Sequence, residues 1–126
     1  MTGPQLSAVV ERAVNAYNAK DFEKYEQCFT DNVCFRHHNR GYEITGRRQL
    51  VDFLTTTAND IFPDRQMGPA TRLLEAGNTV VREQVWTGTP TVDVEGIGAQ
   101  GHPATLEICS IYVFDGDRIS EYHDYG

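Results

Sequence analysis

The chain has 126 residues, a hydrophobic content of 40% and a formal net charge of −7, with 18 acidic and 11 basic residues. This length predicts a single domain, residues 1–126, with a hydrophobic core and room for one pocket. The acidic surface argues against nucleic acids and anionic membranes as partners. No apolar run reaches the length of a membrane span, and the first residues lack a signal-peptide pattern. A cytoplasmic protein is therefore expected.

The first part of the chain has helical periodicity. Apolar residues recur at helical spacing over residues 6–17, which predicts a first helix. Asp21 is a suitable N-cap for a short second helix, and residues 30–32 are typical of a turn. The expected buried side of the second helix consists of Phe22, Tyr25, Cys28 and Phe29.

A strand that contains two adjacent histidines is predicted at residues 33–39. Side chains alternate faces along a strand, so His37 and His38 should point to opposite sides of the sheet. A His37 imidazole that shares the interior with Phe35 could carry a proton for a ligand, because histidine titrates near neutral pH. A surface pair on an edge strand is the alternative, and spacing alone favours it.

The rest of the chain is predicted to form a third helix followed by four antiparallel strands. Thr45 can cap this helix, and Phe62-Pro63-Asp64 ends it. The hydrophobic period then changes to two, with tight turns inside two hairpins. The four strands are expected at residues 71–75, 79–87, 105–114 and 118–125. Residues 88–104 are rich in glycine and predict a mobile loop with little regular structure.

Helices early and strands late in the chain indicate an α+β fold. In the expected architecture, a curved and mostly antiparallel sheet wraps around the helices as a cone-shaped α+β barrel. Such a cone has one open mouth, which is the expected small-molecule site.

The cysteines and histidines give no sign of a disulfide framework or a metal site. Cys28, Cys34 and Cys109 are odd in number and lack a CxxC spacing. Adjacent His37 and His38 on one strand cannot easily share an ion, so no metal is expected. Proton-transfer chemistry needs no cofactor, and none is expected either.

Six short motifs follow one another along nearly the whole chain. They are an Asn-Ala-x-Asp turn at residues 18–21, a Phe-x-Asp-Asn-Val segment at 29–33, the Thr-Gly-Arg of 45–47, Phe62-Pro63-Asp64, and two hairpin turns within 75–81 and 114–121. Together they resemble the nuclear transport factor 2-like superfamily and, within it, the SnoaL-like group. The resemblance implies a cystatin-like cone, but a fold does not fix a function.

The resemblance also implies two proton-transfer residues. The general-base aspartate of the steroid isomerase branch falls on His37, and a histidine can do the same work. The acid/base aspartate of the SnoaL-like cyclases falls on Asp124 of the last predicted strand. The oxyanion-hole tyrosine of the isomerases falls on Ala13 and their second oxyanion acid falls near Ser110. A direct steroid isomerase is therefore not expected.

Ligand contacts are implied in the same way. A cyclase histidine falls on Cys109, and a ligand-contacting aromatic residue of helix one falls on Tyr17. Trp86 shares one strand face with Gln84, and the sequence leaves open whether that face points inward. Any of the aromatic residues could instead belong to the core. The predicted substrate-binding residues are Tyr17, Phe35, Trp86, Cys109, Ser110 and Tyr112.

The predicted function is cofactor-independent acid/base chemistry alpha to a carbonyl group, leading to cyclisation, isomerisation or dehydration of an apolar polycyclic or polyketide-like substrate. The alternative is a non-catalytic ligand-binding or dimerisation domain, which would keep the aromatic cone without needing His37 or Asp124. An epoxide hydrolase is third, because the chain has no Arg-x-Asp pair. The resemblance further implies a homodimer through the outer face of the sheet, with Arg36 and His38 in the interface.

Overall fold

The computed structural model describes residues 5–126. The helices are α1 (Leu6–Ala19), α2 (Phe22–Glu26) and α3 (Arg47–Thr56), and α3 continues into one turn of π-helix at Thr57–Ile61. The strands are β1 (Phe29–His37), β2 (Tyr42–Thr45), β3 (Gln66–Met67), β4 (Arg72–Ala76), β5 (Thr79–Gly88), β6 (Ala104–Asp115) and β7 (Arg118–Tyr125).

The two N-terminal helices form largely for the predicted reasons. The apolar stripe of α1 is buried, and Lys20 ends the helix in the left-handed conformation with φ of 58°. Asp21 caps α2, because its carboxylate accepts a hydrogen bond from the Lys24 backbone N–H at 3.1 Å. The predicted length of α2 was wrong, since the helix ends at Glu26 and the buried Phe29 begins β1. Pairing of Phe29 with Ile119 of β7 overrides the helical spacing.

Two further local predictions were wrong, and two short strands were not predicted. Residues 30–32 belong to β1 instead of a turn. Thr45 ends the short strand β2, which the sequence did not predict, and Gly46 takes the N-cap position of α3 with φ of 103°. That positive φ is a conformation that glycine adopts without strain. β3 was also missed, because two residues give no measurable alternation.

The sheet has the strand order β2-β1-β7-β6-β5-β3, and β4 pairs separately with β5. All pairs are antiparallel except β1 with β7. The sheet is unclosed, and α1 and α3 pack on its inner face around core residues such as Val10, Leu50 and Ile119. This confirms the predicted α+β fold with a curved, mostly antiparallel sheet. Within residues 5–126, no helix is both long and apolar enough to cross a membrane.

Candidate active site

A cavity of about 160 Å³ lies between the helices and the inner face of the sheet. This volume is close to the roughly 150 Å³ of a protein cavity that holds one benzene ring. The walls are mainly apolar and include Phe35, Phe53, Leu54, Phe62, Trp86 and Ile108. The polar groups at the cavity belong chiefly to Tyr17, His37, Arg40 and Asp124.

His37 and Asp124 meet because of the parallel pairing of β1 and β7. The register places His37 opposite Asp124, and the His38 N–H donates to the Asp124 carbonyl oxygen at 2.9 Å. Residues that share a register position in neighbouring strands point to the same face of a sheet. Both side chains therefore line the cavity, while Arg36 and His38 lie on the outer face.

Asp124 is a buried carboxylate with a hydrogen-bond donor on each oxygen. Ser110 Oγ donates to Oδ1 at 2.5 Å, and the Tyr122 hydroxyl donates to Oδ2 at 3.0 Å. Burial raises the pKa of Asp124 to about 6, against the opposing effect of these two hydrogen bonds. A carboxylate with a pKa of about 6 is mostly ionised at pH 7. It is also a stronger base than an exposed carboxylate, which has a lower pKa.

His37 is half-buried, and its Nδ1 has no hydrogen-bond partner within residues 5–126. Burial lowers the pKa of His37 to about 4, and the nearby charges of Arg40 and His38 act in the same direction. The imidazole is therefore neutral at pH 7. A neutral imidazole can donate or accept one hydrogen bond on the cavity side, according to its tautomer.

Tyr17 on α1 lies at the cavity wall with its hydroxyl oriented by Trp86. The Trp86 indole N–H donates to the Tyr17 oxygen at 2.9 Å. Because the indole can only donate, the tyrosine oxygen must accept, and its own proton stays available to another acceptor. Trp86 in turn needs Gly88 beside it, since a Cβ there would lie 2.7 Å from the indole ring.

Arg65 packs against the face of Tyr17 with its guanidinium carbon 3.6 Å from the ring centroid. The side chain is 1% exposed, and its three guanidinium nitrogens have no hydrogen-bond partner among residues 5–126. Burial raises the pKa of the Tyr17 hydroxyl, whereas the charge of Arg65 and the bond from Trp86 lower it. The Arg65 cation therefore makes this hydroxyl a better hydrogen-bond donor than its burial alone would allow.

The predicted contact residues divide into three groups by position. Tyr17, Phe35 and Trp86 line the cavity together with His37 and Asp124. Ser110 lies directly behind Asp124, and Tyr112 stacks on Tyr122 at 4.7 Å deeper in the core. Cys109 lies outside the cavity, because side chains alternate along β6 and residue 110 points inward. Its thiol belongs to the outer face beside Glu83 and Tyr125.

Arg40, which no sequence motif marks as a site residue, joins three segments at the cavity. Its Nη1 donates to the Gly96 carbonyl of the loop between β5 and β6 at 3.0 Å, and its Nη2 donates to the Gly126 carbonyl at 3.2 Å. That loop has little regular structure, as predicted, apart from one bridge between Val94 and Gly98. Tyr42, which also lines the cavity, is 43% exposed, so the cavity wall reaches the protein surface there.

A second cluster of polar residues lies on the outer face of the sheet. His38 Nε2 and His123 Nδ1 are 2.9 Å apart, and His123 Nε2 lies 3.1 Å from a Glu121 oxygen. His38 also stacks on Tyr125 at 4.3 Å. In the described part of the chain, no group of three or more His, Cys, Asp or Glu side chains is arranged to hold a metal ion.

Sequence comparison identifies one family over most of the chain. The model of the SnoaL-like domain matches residues 10–122. No curated protein matches the chain at a significant level.

Solved structures with the same fold come from several bacteria. A candidate polyketide cyclase from Pseudomonas putida KT2440 has a TM-score of 0.84 at 17% identity, over 98% of this chain and 92% of the other. A protein with a ketosteroid isomerase-like fold from Catenulispora acidiphila, in complex with trimethylamine, has a TM-score of 0.77 at 21% identity, over 99% and 87%. An LEH-like epoxide hydrolase from M. tuberculosis has a TM-score of 0.74 at 17% identity, over 95% and 80%. At these identities the likeness shows the fold alone.

Proposed function

The chain belongs to the SnoaL-like domain family, and from that premise we propose that it is a cofactor-independent enzyme that moves a proton at the carbon alpha to a carbonyl group. The observation that carries the proposal is the Asp124 carboxylate, buried at an apolar cavity with a pKa raised to about 6. Beside it, His37 is neutral at pH 7. At pH 7 the carboxylate is therefore mostly ionised and can take a proton, while the neutral imidazole can hydrogen-bond the substrate.

In the proposed reaction Asp124 is the general base. Its carboxylate takes the proton from the α-carbon, and the carbonyl becomes an enolate. The Tyr17 hydroxyl, which has a free proton and faces the cavity, donates a hydrogen bond to the enolate oxygen. The protonated Asp124 then returns this proton at another atom, which gives isomerisation and restores the carboxylate, while the neutral His37 imidazole can hydrogen-bond the substrate. Attack of the enolate on a second carbonyl would give cyclisation, and loss of a β-hydroxyl group would give dehydration.

The cavity favours a compact and mostly apolar substrate. About 160 Å³ accommodates one six-membered ring with its carbonyl group. A polycyclic or polyketide-like substrate would place its reacting ring here and extend past Arg40 and Tyr42, on the solvent side. Apolar walls also raise the strength of the hydrogen bonds that stabilise an enolate, because they lower the local dielectric constant.

Deuterium exchange at the α-carbon of small cyclic ketones in D₂O, followed by NMR, tests the proposal without knowledge of the natural product. Exchange detects proton abstraction whatever reaction follows it. Asp124→Asn should slow the exchange by about 100-fold or more, the usual contribution of a general base. Asp117→Asn is the matched control, because Asp117 is exposed in the turn between β6 and β7. Equal exchange rates in the wild type and Asp124→Asn would contradict the proposal.

A non-catalytic carrier is the second candidate, favoured by the predominance of apolar side chains around the cavity. Trp86 is the only tryptophan and lies at the cavity wall, so its fluorescence reports binding. Saturable quenching by a ketone, unchanged in Asp124→Asn and without catalysed exchange, would support the carrier over the enzyme.

A further inference from the structure

A row of polar residues crosses four strands of the sheet and ends at the cavity. In the strand registers, Arg82 of β5 lies opposite Ser110 of β6, Ser110 lies opposite Asp124 of β7, and Asp124 lies opposite His37 of β1. Gln84, two residues after Arg82, points to the same inner face. Arg82, Gln84, Ser110 and Asp124 are buried, and the first three do not line the cavity at which the row ends.

Hydrogen bonds connect this row into one chain. Arg82 Nη1 lies 2.9 Å from Gln84 Oε1, and Gln84 Nε2 lies 3.2 Å from Ser110 Oγ. Ser110 Oγ lies 2.5 Å from Asp124 Oδ1. At the other end, Arg82 forms an ion pair with Glu11 of α1 at 3.1 Å, and Glu11 is partly exposed.

The donor and acceptor chemistry gives the chain a single direction. The guanidinium of Arg82 can only donate, so the atom of Gln84 that faces it must be the amide oxygen. The Gln84 NH₂ group therefore donates to Ser110 Oγ and to the Ile108 carbonyl oxygen at 3.1 Å. Since Ser110 Oγ accepts that bond and a carboxylate can only accept, the hydroxyl proton of Ser110 must point to Asp124.

We propose that Gln84 and Arg82 are positioning residues that hold the Ser110 hydroxyl in the orientation that donates to Asp124. They thereby keep this buried carboxylate ionised and ready to accept a proton from a ligand. The role in catalysis rests on the proposed function of Asp124 as the base. The hydrogen-bond chain and its effect on the titration of Asp124 do not depend on any reaction.

Several other titratable groups surround Asp124, and the test must separate their effects from that of the chain. Burial raises the pKa of Asp124, and the hydrogen bonds from Ser110 and Tyr122 and the charge of His123 lower it. The neighbouring groups are Tyr17 of α1, Tyr25 of α2, His37 of β1, Arg82 of β5, Cys109 and Tyr112 of β6, and Tyr122 and His123 of β7. None of these side chains is altered in the variants described next.

The test follows the ¹³C NMR signal of the Asp124 carboxyl group through a pH titration, with Asp124→Asn to assign the signal. Ser110→Ala removes the direct donor, so the pKa of Asp124 should rise by about one to two. Gln84→Met leaves the Ser110 hydroxyl free to rotate and should raise this pKa by a smaller amount. Gln84→Glu keeps the shape and can pair with Arg82, but its carboxylate attracts the Ser110 proton away from Asp124. Its effect should be at least as large as that of Ser110→Ala.

Two comparisons decide the outcome. Gln66→Glu adds the same charge at an exposed position of β3 and should leave the titration of Asp124 unchanged. An unchanged pKa in Gln84→Met, with a raised one in Ser110→Ala, would overturn the role of Gln84 and Arg82. If Gln84→Glu fails to fold by circular dichroism, the Gln84→Met and Ser110→Ala pair still decides. Raised pKa values without catalysed ketone exchange would support the hydrogen-bond chain and reject the enzyme.

Discussion

Asp124 and His37 are neighbours in the sheet and face the same cavity, but the protein treats them in opposite ways. Both oxygens of Asp124 receive a hydrogen bond, whereas Nδ1 of His37 is buried with no partner in the described chain. Burial raises the pKa of Asp124 to about 6 and lowers that of His37 to about 4, because it disfavours the charged form of each group. The fold therefore supplies hydrogen-bond partners to Asp124 but none to Nδ1 of His37.

This difference in hydrogen bonding predicts different effects of the two residues on stability. A buried polar atom without a partner costs about 1–3 kcal/mol, so a folded protein keeps one only where something compensates. The Nδ1 atom of His37 is enclosed by the protein, so a ligand could bond to it only after its neighbours move, whereas both oxygens of Asp124 already have donors without a ligand. Variants that act on the two sides of the pair should therefore differ in the sign of their effect on stability.

The largest effect is expected from breaking the support of Asp124 at its far end. Arg82→Met removes a buried guanidinium that bonds to Glu11, to Gln84 and to the Gly68 carbonyl oxygen at 3.0 Å. Loss of one partner from such a buried set should lower the free energy of unfolding by about 3–5 kcal/mol, measured by urea denaturation. Arg72→Met is the matched control, since Arg72 is exposed and pairs with Glu83 at 3.4 Å. It should cost about 1 kcal/mol or less.

The second largest effect is expected in the pH dependence of stability that comes from Asp124. The pKa of Asp124 is about 6 in the folded protein against an ordinary value of 3.8. Its contribution to stability is therefore fully present below pH 3.8 and is lost as the pH rises through 6. The total loss is about 3 kcal/mol by linkage.

Asp124→Asn has no charge to gain, so it should lack this part of the pH dependence. The measurement is the difference in unfolding free energy between the wild type and Asp124→Asn, by urea denaturation at several values between pH 4.5 and 8. The difference should move in favour of the variant as the pH rises. Parallel curves for the two proteins would mean that Asp124 is not desolvated in the fold. Asp117→Asn, at an exposed site, should show no such divergence.

Strong local patterns explain which elements could be predicted from the sequence. The strand predicted at residues 118–125 is β7, Arg118–Tyr125, because a glycine turn and clear alternation define both its ends. β2 had no comparable signal, since four residues form a strand only through pairing with β1. Phe29 fitted two patterns at once, and only the contact with Ile119 of β7 decides between them.

The site was harder to predict than the helices and strands, because it depends on the register between paired strands. The resemblance put Cys109 among the substrate-binding residues, but a shift of one residue along a strand moves a side chain to the opposite face. The support of Asp124 by Ser110 and Gln84 requires the registers of β5, β6 and β7, which no local pattern contains. Arg65 could not be found because an arginine in a loop is normally exposed.

The smallest effect, and the one that tests the comparison most directly, is expected at His37. His37→Leu removes the Nδ1 that has no partner, so the unfolding free energy at pH 7 should stay unchanged or rise by about 1 kcal/mol. The pKa of His37 is lowered by the fold, so its contribution to stability is fully present above pH 6.5 and is lost as the pH falls through 4. The His37→Leu variant should not show this loss.

The control is His38→Leu on the outer face, which loses the contacts with His123 and Tyr125 and should show no gain in stability. A cost above 1 kcal/mol for His37→Leu at pH 7 would mean that the fold itself requires His37. A variant that is at least as stable but exchanges ketone protons more slowly would instead show that His37 is kept for the ligand and not for stability.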